Sequence, residues 1–293
     1  MKKLLVIISL AFWILNSQVV VGADSEKKDS RKMNALLLDR CFKVLEKGLE
    51  SEEFWPSMHA AEALTLAGKT KDVIDSLKLK LPRETNDQKR CGLARELVRA
   101  GDQSALPVLF DVLNDAKSNG RIHAAESLFK LGQVGDGKSL KAAFEQLELV
   151  QLRLYAAAAL AKSGNEEARL FLSRQLNSND QLVRNTVVFS LARLGSKNEV
   201  PGLLALFEKE TDKAARANIA NALAMLGDKK GCEELGLQLG SEDLGIRVSS
   251  AEHAGLASCT QYVDKLAKLL YDQVLDVRIR ASQSLIIFSK TAN

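Results

Sequence analysis

The stretch Ala220-Asn221-Ala222-Leu223-Ala224-Met225-Leu226-Gly227 decides the fold. It is a run of strong helix formers that stops at a glycine, as a helix does when a residue without a Cβ takes the left-handed conformation at its C-cap. The same ending recurs at Gly68, Gly101, Gly132, Gly164 and Gly195, and Ser258 and Ser289 occupy the place in two further segments. Successive terminators are 33, 31, 32, 31, 32, 31 and 31 residues apart. A fixed period of this length marks a repeat array.

The chemistry repeats along with the spacing. Four residues before the terminator stand Leu64, Leu97, Leu128, Leu160, Leu191, Leu223, Ala254 and Leu285. Seven before it stand Ala61, Ala94, Ala125, Ala157, Val188, Ala220, Ala251 and Ser282. Apolar residues are also frequent eight and one before it, and offsets of eight, four and one fall on one helical stripe. Eleven before it comes Arg90, Arg121, Arg153, Arg184, Arg216, Arg247 or Arg278, with Ser57 in the first repeat. Acids such as Asp180, Asp212 and Asp243 stand four residues earlier still and are suited to capping the helix. A second amphipathic segment follows each terminator, opened by Pro107 or Pro201 in two repeats. Proline is tolerated there, because an N–H in the first helical turn has no partner to lose. Each unit therefore reads as helix, tight turn, helix and polar link. The arginines read as a structural ladder between units.

The pattern Val-Arg, Ala-Ala, Ala-Leu, Leu-Gly over residues 55–290 resembles the short HEAT-like repeat of the phycobilisome (bilin) lyase type, with Ile122-His123-Ala124-Ala125-Glu126-Ser127-Leu128 another good copy. That resemblance implies an all-α fold, a right-handed α-solenoid of about eight hairpins with an armadillo-type architecture. It also raises a lyase-like or oxidoreductase-like activity as the alternative to a binding role. The di-iron deoxyhypusine hydroxylases, which use such repeats, hold their metals through adjacent His-Glu dipeptides. This chain has no His-Glu dipeptide and three histidines in all.

Residues 1–23 read as a signal peptide, with Lys2 and Lys3, an apolar run from Leu4 to Leu15, a polar break and a small-residue end at Val21-Gly22-Ala23. The expected address is periplasmic or extracellular, with no stable membrane insertion after cleavage. Residues 24–54 read as a linker and capping helix, and 55–293 as the array, whose last repeat lacks a complete second helix. Without Lys2 and Lys3 the basic count falls from 41 to 39 against 37 acids, which disfavours nucleic acid as a partner. Of Cys41, Cys91, Cys232 and Cys259, the last two lie near hairpin turns in adjacent repeats and are either paired or free.

The candidate contact residues are Trp55, His59, Glu62, His123, Glu126, Glu252 and His253. His59/Glu62 and His123/Glu126 are three apart on a helix surface, as metal ligands often are. With about 10 Å per stacked layer, two repeats of separation place His59 and His123 about 20 Å apart, too far to share an ion. No phosphate loop, nucleophile elbow or zinc motif is present. No metal or cofactor is expected. The chain is read as a scaffold that binds a protein or peptide on a concave face lined by the second helices.

Overall fold

The computed structural model describes residues 35–291, so the expected leader and most of the linker lie outside the described residues. The chain divides into a short N-terminal unit ending at Arg40 and a body from Cys41 onward. A first helix, α1, covers residues 35–49, and its segment from Cys41 onward opens the body. Among the described residues, eight longer helices carry the repeat pattern: α2 (Phe54–Ala67), α4 (Asp87–Ala100), α6 (Arg121–Leu131), α8 (Val150–Lys162), α10 (Gln181–Leu194), α12 (Lys213–Met225), α14 (Leu244–Leu256) and α16 (Leu275–Thr291). Seven others alternate with them: α3 (Thr70–Leu77), α5 (Leu106–Asn114), α7 (Lys138–Glu145), α9 (Glu166–Gln175), α11 (Val200–Lys209), α13 (Lys229–Gln238) and α15 (Val263–Leu269). No strand occurs among the described residues. The fold is an all-helical solenoid.

The local chemistry acts as its pattern implies. All six terminating glycines have positive φ, from 69° at Gly132 to 110° at Gly101. Ser258 takes the same conformation at φ 55°, the one non-glycine among the described residues to do so. Ser289 instead continues α16, which runs on to Thr291. Asp180, Asp212 and Asp243 cap α10, α12 and α14 by accepting from backbone N–H groups. The residues seven before each terminator are fully buried, and the small side chains there let neighbouring even-numbered helices approach closely.

Those even-numbered helices pack on one another in sequence, and α16 packs back on α2. The array thus closes into a ring. His59 Nδ1 on α2 lies 2.7 Å from Asp276 Oδ1 on α16. Arg280 Nη1 donates to Glu62 Oε2 at 3.0 Å, and Lys290 donates to the Leu66 carbonyl. The end of α1 covers this seam on the outside. Gly48 sits directly against Ile279 and Ala60, and Ser57 Oγ donates to the Leu49 carbonyl at 2.8 Å. The helix expected as an N-terminal cap therefore packs on α2 and α16 as an outer helix does on its inner helices.

Closure corrects the expected binding face. The first helices line the interior, and the second helices stand outside, where charged and polar residues meet solvent. The reason lies in the stripes. The odd helices present one apolar face inward and are otherwise exposed, whereas α4 is buried along most of its length. Eight helices about 9 Å apart stand on a circle of roughly 12 Å radius, which leaves a bore about 14 Å wide once helix thickness is removed. Long side chains from facing helices span that width.

Candidate functional site

The bore holds a connected set of ion pairs and one separate pair. Glu96 on α4 is fully buried and accepts from Arg95 Nε at 2.7 Å and from Arg99. Arg99 continues to Glu62 on α2 at 3.2 Å, and Glu62 to Arg280 on α16 at 3.0 Å. Arg280 reaches Glu252 on α14 at 3.5 Å, and Glu252 meets Arg193 on α10 at 3.3 Å. Five of the eight inner helices are joined in this way. On α6, Glu126 pairs with Lys130 at 2.7 Å.

Each ionised state has a local cause. Burial works against the charge of Glu252, but Arg280 and then His253 outweigh it and hold the carboxyl down at about 2. Burial likewise opposes Glu62, and Arg99 and Arg280 keep it well below the ordinary carboxylate range. Burial would lower Arg280, yet Glu252 and Glu62 raise it. Desolvation lowers Lys130, His123 and His253. The carboxylates are thus firmly ionised at neutral pH and the two histidines are neutral. This suits electrostatic locking better than proton transfer, for which a carboxylate is usually shifted up toward neutrality.

The candidate residues fall close together, but not as a metal site. Trp55 stacks on His123, with ring centroids 5.7 Å apart and planes at 19°. Trp55 rests on Gly92 of the intervening α4, and this side-chain reach lets α2 meet α6 although a whole helix stands between them. Trp55 also lies edge-on to Phe54 and remains partly exposed. His123 Nδ1 is buried without a partner, and His253 Nδ1 sits 2.7 Å from the Ser249 carbonyl. His59 is engaged by Asp276, Glu62 and Glu252 by arginines, and Glu126 by Lys130. No group of three metal-type side chains forms among the described residues.

The arginine ladder lies at one end of the helices. Arg121 donates to the Leu113 carbonyl at 3.1 Å, Arg153 to Phe144 at 3.0 Å and Arg216 to Phe207 at 2.5 Å. Each closes the C-terminus of the outer helix before it, where a cation suits the helix dipole. Arg184, Arg247 and Arg278 bind link carbonyls at Ser178, Ser241 and Asp272. Arg184 and Arg247 also reach Glu210 and Asp272 of the following repeat. Arg90 pairs with Asp87 at 2.6 Å.

Sequence reasoning missed Arg95, Arg99, Lys130, Arg193 and Arg280. A signal was present for four of them: Arg95 stands six residues before its terminator, as Glu62, Glu126 and Glu252 do, and Arg99, Lys130 and Arg193 each stand two before theirs. The structure also pairs Cys232 with Cys259, leaving Cys41 and Cys91 as buried thiols.

Comparison with known proteins agrees with the fold. The family of HEAT repeats matches residues 140–214, less than half of the chain. No curated protein matches the sequence. Among solved structures, human deoxyhypusine hydroxylase in complex with glycerol is similar at 17% identity and TM-score 0.43, covering 89% of this chain and 99% of that one. An engineered protein is similar at 18% identity and TM-score 0.34, covering 85% and 96%. These values are too low to carry the hydroxylase's activity to this chain.

Proposed function

We propose that this protein is an exported scaffold that binds a protein or peptide on one rim of its ring. The observation behind this reading is the distribution of exposed apolar side chains. Of the twelve large apolar residues exposed among the described residues, nine lie where an outer helix ends or an inner helix begins. The inner helices run parallel to one another, so these positions share one end of the ring. They include Trp55, Leu79, Leu147, Leu182, Leu244 and Tyr271, with Leu147 76% exposed. Such a concentration is what a partner surface presents, and aromatic anchors like Trp55 are common in it. HEAT repeats commonly mediate protein interactions, which supports the same reading. The bore is taken up by its own ion pairs, leaving the rim as the more available surface. The Cys232–Cys259 disulfide and the leader-like residues 1–23 support an oxidising compartment.

The test is a crosslinking pull-down from the native exported fraction with residues 24–293 as bait, read by mass spectrometry. One dominant protein should be captured, and Leu147→Asp with Leu244→Asp should release it while the fold is retained. No captured protein, or one that the rim variants keep, would count against the proposal.

A further inference from the structure

The opposite mouth of the bore, where the inner helices end, has a different character. Two residues before the terminator, four successive repeats carry Arg99, Lys130, Lys162 and Arg193. The other four carry Met225, Leu256, Ile287 and Leu66. Closure makes this second group continuous, because Leu66 on α2 comes beside α16, where Lys290 grips its carbonyl. One mouth is therefore half basic and half apolar.

The basic half is not neutralised from within. Among the described residues five acids act on these cations, Glu62, Glu96, Glu126, Glu252 and, beside Arg280, Asp276, and each is already paired. Against them stand six cations: Arg95, Arg99, Lys130, Arg193 and Arg280, together with Lys162. Lys162 makes its hydrogen bonds to carbonyls alone, those of Phe129 at 3.2 Å and Lys130 at 3.5 Å. The Nε of Arg193 is buried and without a partner. These cations also crowd one another. Lys130 Nζ lies 5.4 Å and Arg193 Cζ 4.8 Å from the centroid of the same Phe189 ring. Lys162 Nζ lies 5.5 Å from the ring of Phe129, which itself contacts Phe189 edge-on at 6.3 Å. After burial, Arg193 and Arg99 are the main reasons that Lys162 holds its proton less tightly than usual. A cation in a helix's last turn complements the helix dipole. That does not explain this set, since α12, α14 and α16 end without one at the same position. The site is reachable, because Lys162 is exposed and Arg99, Lys130 and Arg193 each keep part of their surface in water.

We propose that this mouth binds an amphiphilic organic anion, with its headgroup between Lys162 and Arg193 and its apolar portion on Leu66 and Leu256. A carboxylate or phosphate would supply the missing negative charge beside Lys162 and the part of Arg193 that remains in water. The apolar half gives the chain of the ligand a surface that an inorganic ion cannot use.

The experiment is calorimetric titration of the full protein with dodecanoate, inorganic phosphate and dodecyltrimethylammonium in turn. Dodecanoate should bind saturably with Kd below about 100 μM, and phosphate should compete with it more weakly. Lys162→Glu, at an exposed position, should weaken dodecanoate about tenfold without altering the circular dichroism spectrum. Leu66→Ser should weaken dodecanoate while leaving phosphate unchanged. The proposal is overturned if dodecanoate does not saturate, if the cationic amphiphile binds as well, or if Lys162→Glu has no effect. Phosphate binding as tightly as dodecanoate overturns the role of the apolar half. The site lies at the mouth away from the apolar rim, so either proposal can fail alone.

Discussion

Replacing Arg280 with methionine removes one guanidinium and keeps most of the side-chain volume. Arg280 is 5% exposed and binds Glu62, Glu252 and Gln283, at 2.7 Å in the last case. In the variant, Glu62 retains Arg99 and Glu252 retains Arg193. Removing one partner of a buried pair costs about 3–5 kcal/mol. The depression of Glu252 from an ordinary 4.5 to about 2 gives a second measure, on the order of 3 kcal/mol, to which Arg280 is the largest favourable contributor. The variant should therefore lose about 3 kcal/mol at pH 7, seen in urea melts followed by circular dichroism. The loss should shrink at pH 4, where Glu252 and Glu62 of the variant, freed of that guanidinium, take up protons and leave less charge uncompensated. A loss under about 1 kcal/mol at pH 7, or the same loss at both pH values, would refute the reasoning. Lys71→Met, which breaks an exposed pair with Asp75, should leave the midpoint unchanged.

The carboxylates of Glu252 and Glu62 titrate below their ordinary value in the folded chain, so their contribution is present above pH 4.5 and disappears as pH falls toward 2. His253 titrates below its ordinary 6.5, so protonation there also favours unfolding, and potentiometry should find net proton uptake on unfolding throughout this range. Ser258→Gly should raise stability by about 0.5–1 kcal/mol in a thermal melt, because the left-handed conformation costs serine more than glycine; a lowered melting temperature would contradict this. Reducing Cys232–Cys259, which spans 27 residues, should cost about 3 kcal/mol in a denaturant melt with and without reductant.

The repeat was legible because it is written locally. A glycine such as Gly101 reports its own backbone, and Leu97 and Ala94 report the helix face that meets a neighbour. Closure was not legible, since it is the sum of small rotations over eight units and no single residue encodes it. Its contacts join residues more than two hundred positions apart, such as His59 with Asp276. The inside face was misassigned for the same reason. In an open array either helix layer can be concave, and only the meeting of α2 with α16 fixes which one is. Glu62, Glu252 and His253 are legible as contact candidates, because a histidine and a carboxylate stand close together on one helix surface. Their arginine partners were passed over, because in an isolated helix Arg193 or Arg280 looks like an ordinary solvated residue.

Closure is the claim on which the bore, the rim and the basic mouth all depend. The most direct measurement is a pulsed electron–electron distance between spin labels at Leu66→Cys and Lys290→Cys. Cys232 and Cys259 are bonded to each other, and burial pushes the thiols of Cys41 and Cys91 up to about 11 and about 12, so they should resist labelling. In a closed ring the distribution should be narrow and centred below about 25 Å. In an open superhelix, seven layers at about 10 Å each would place the labels beyond about 40 Å, and that result would contradict the account.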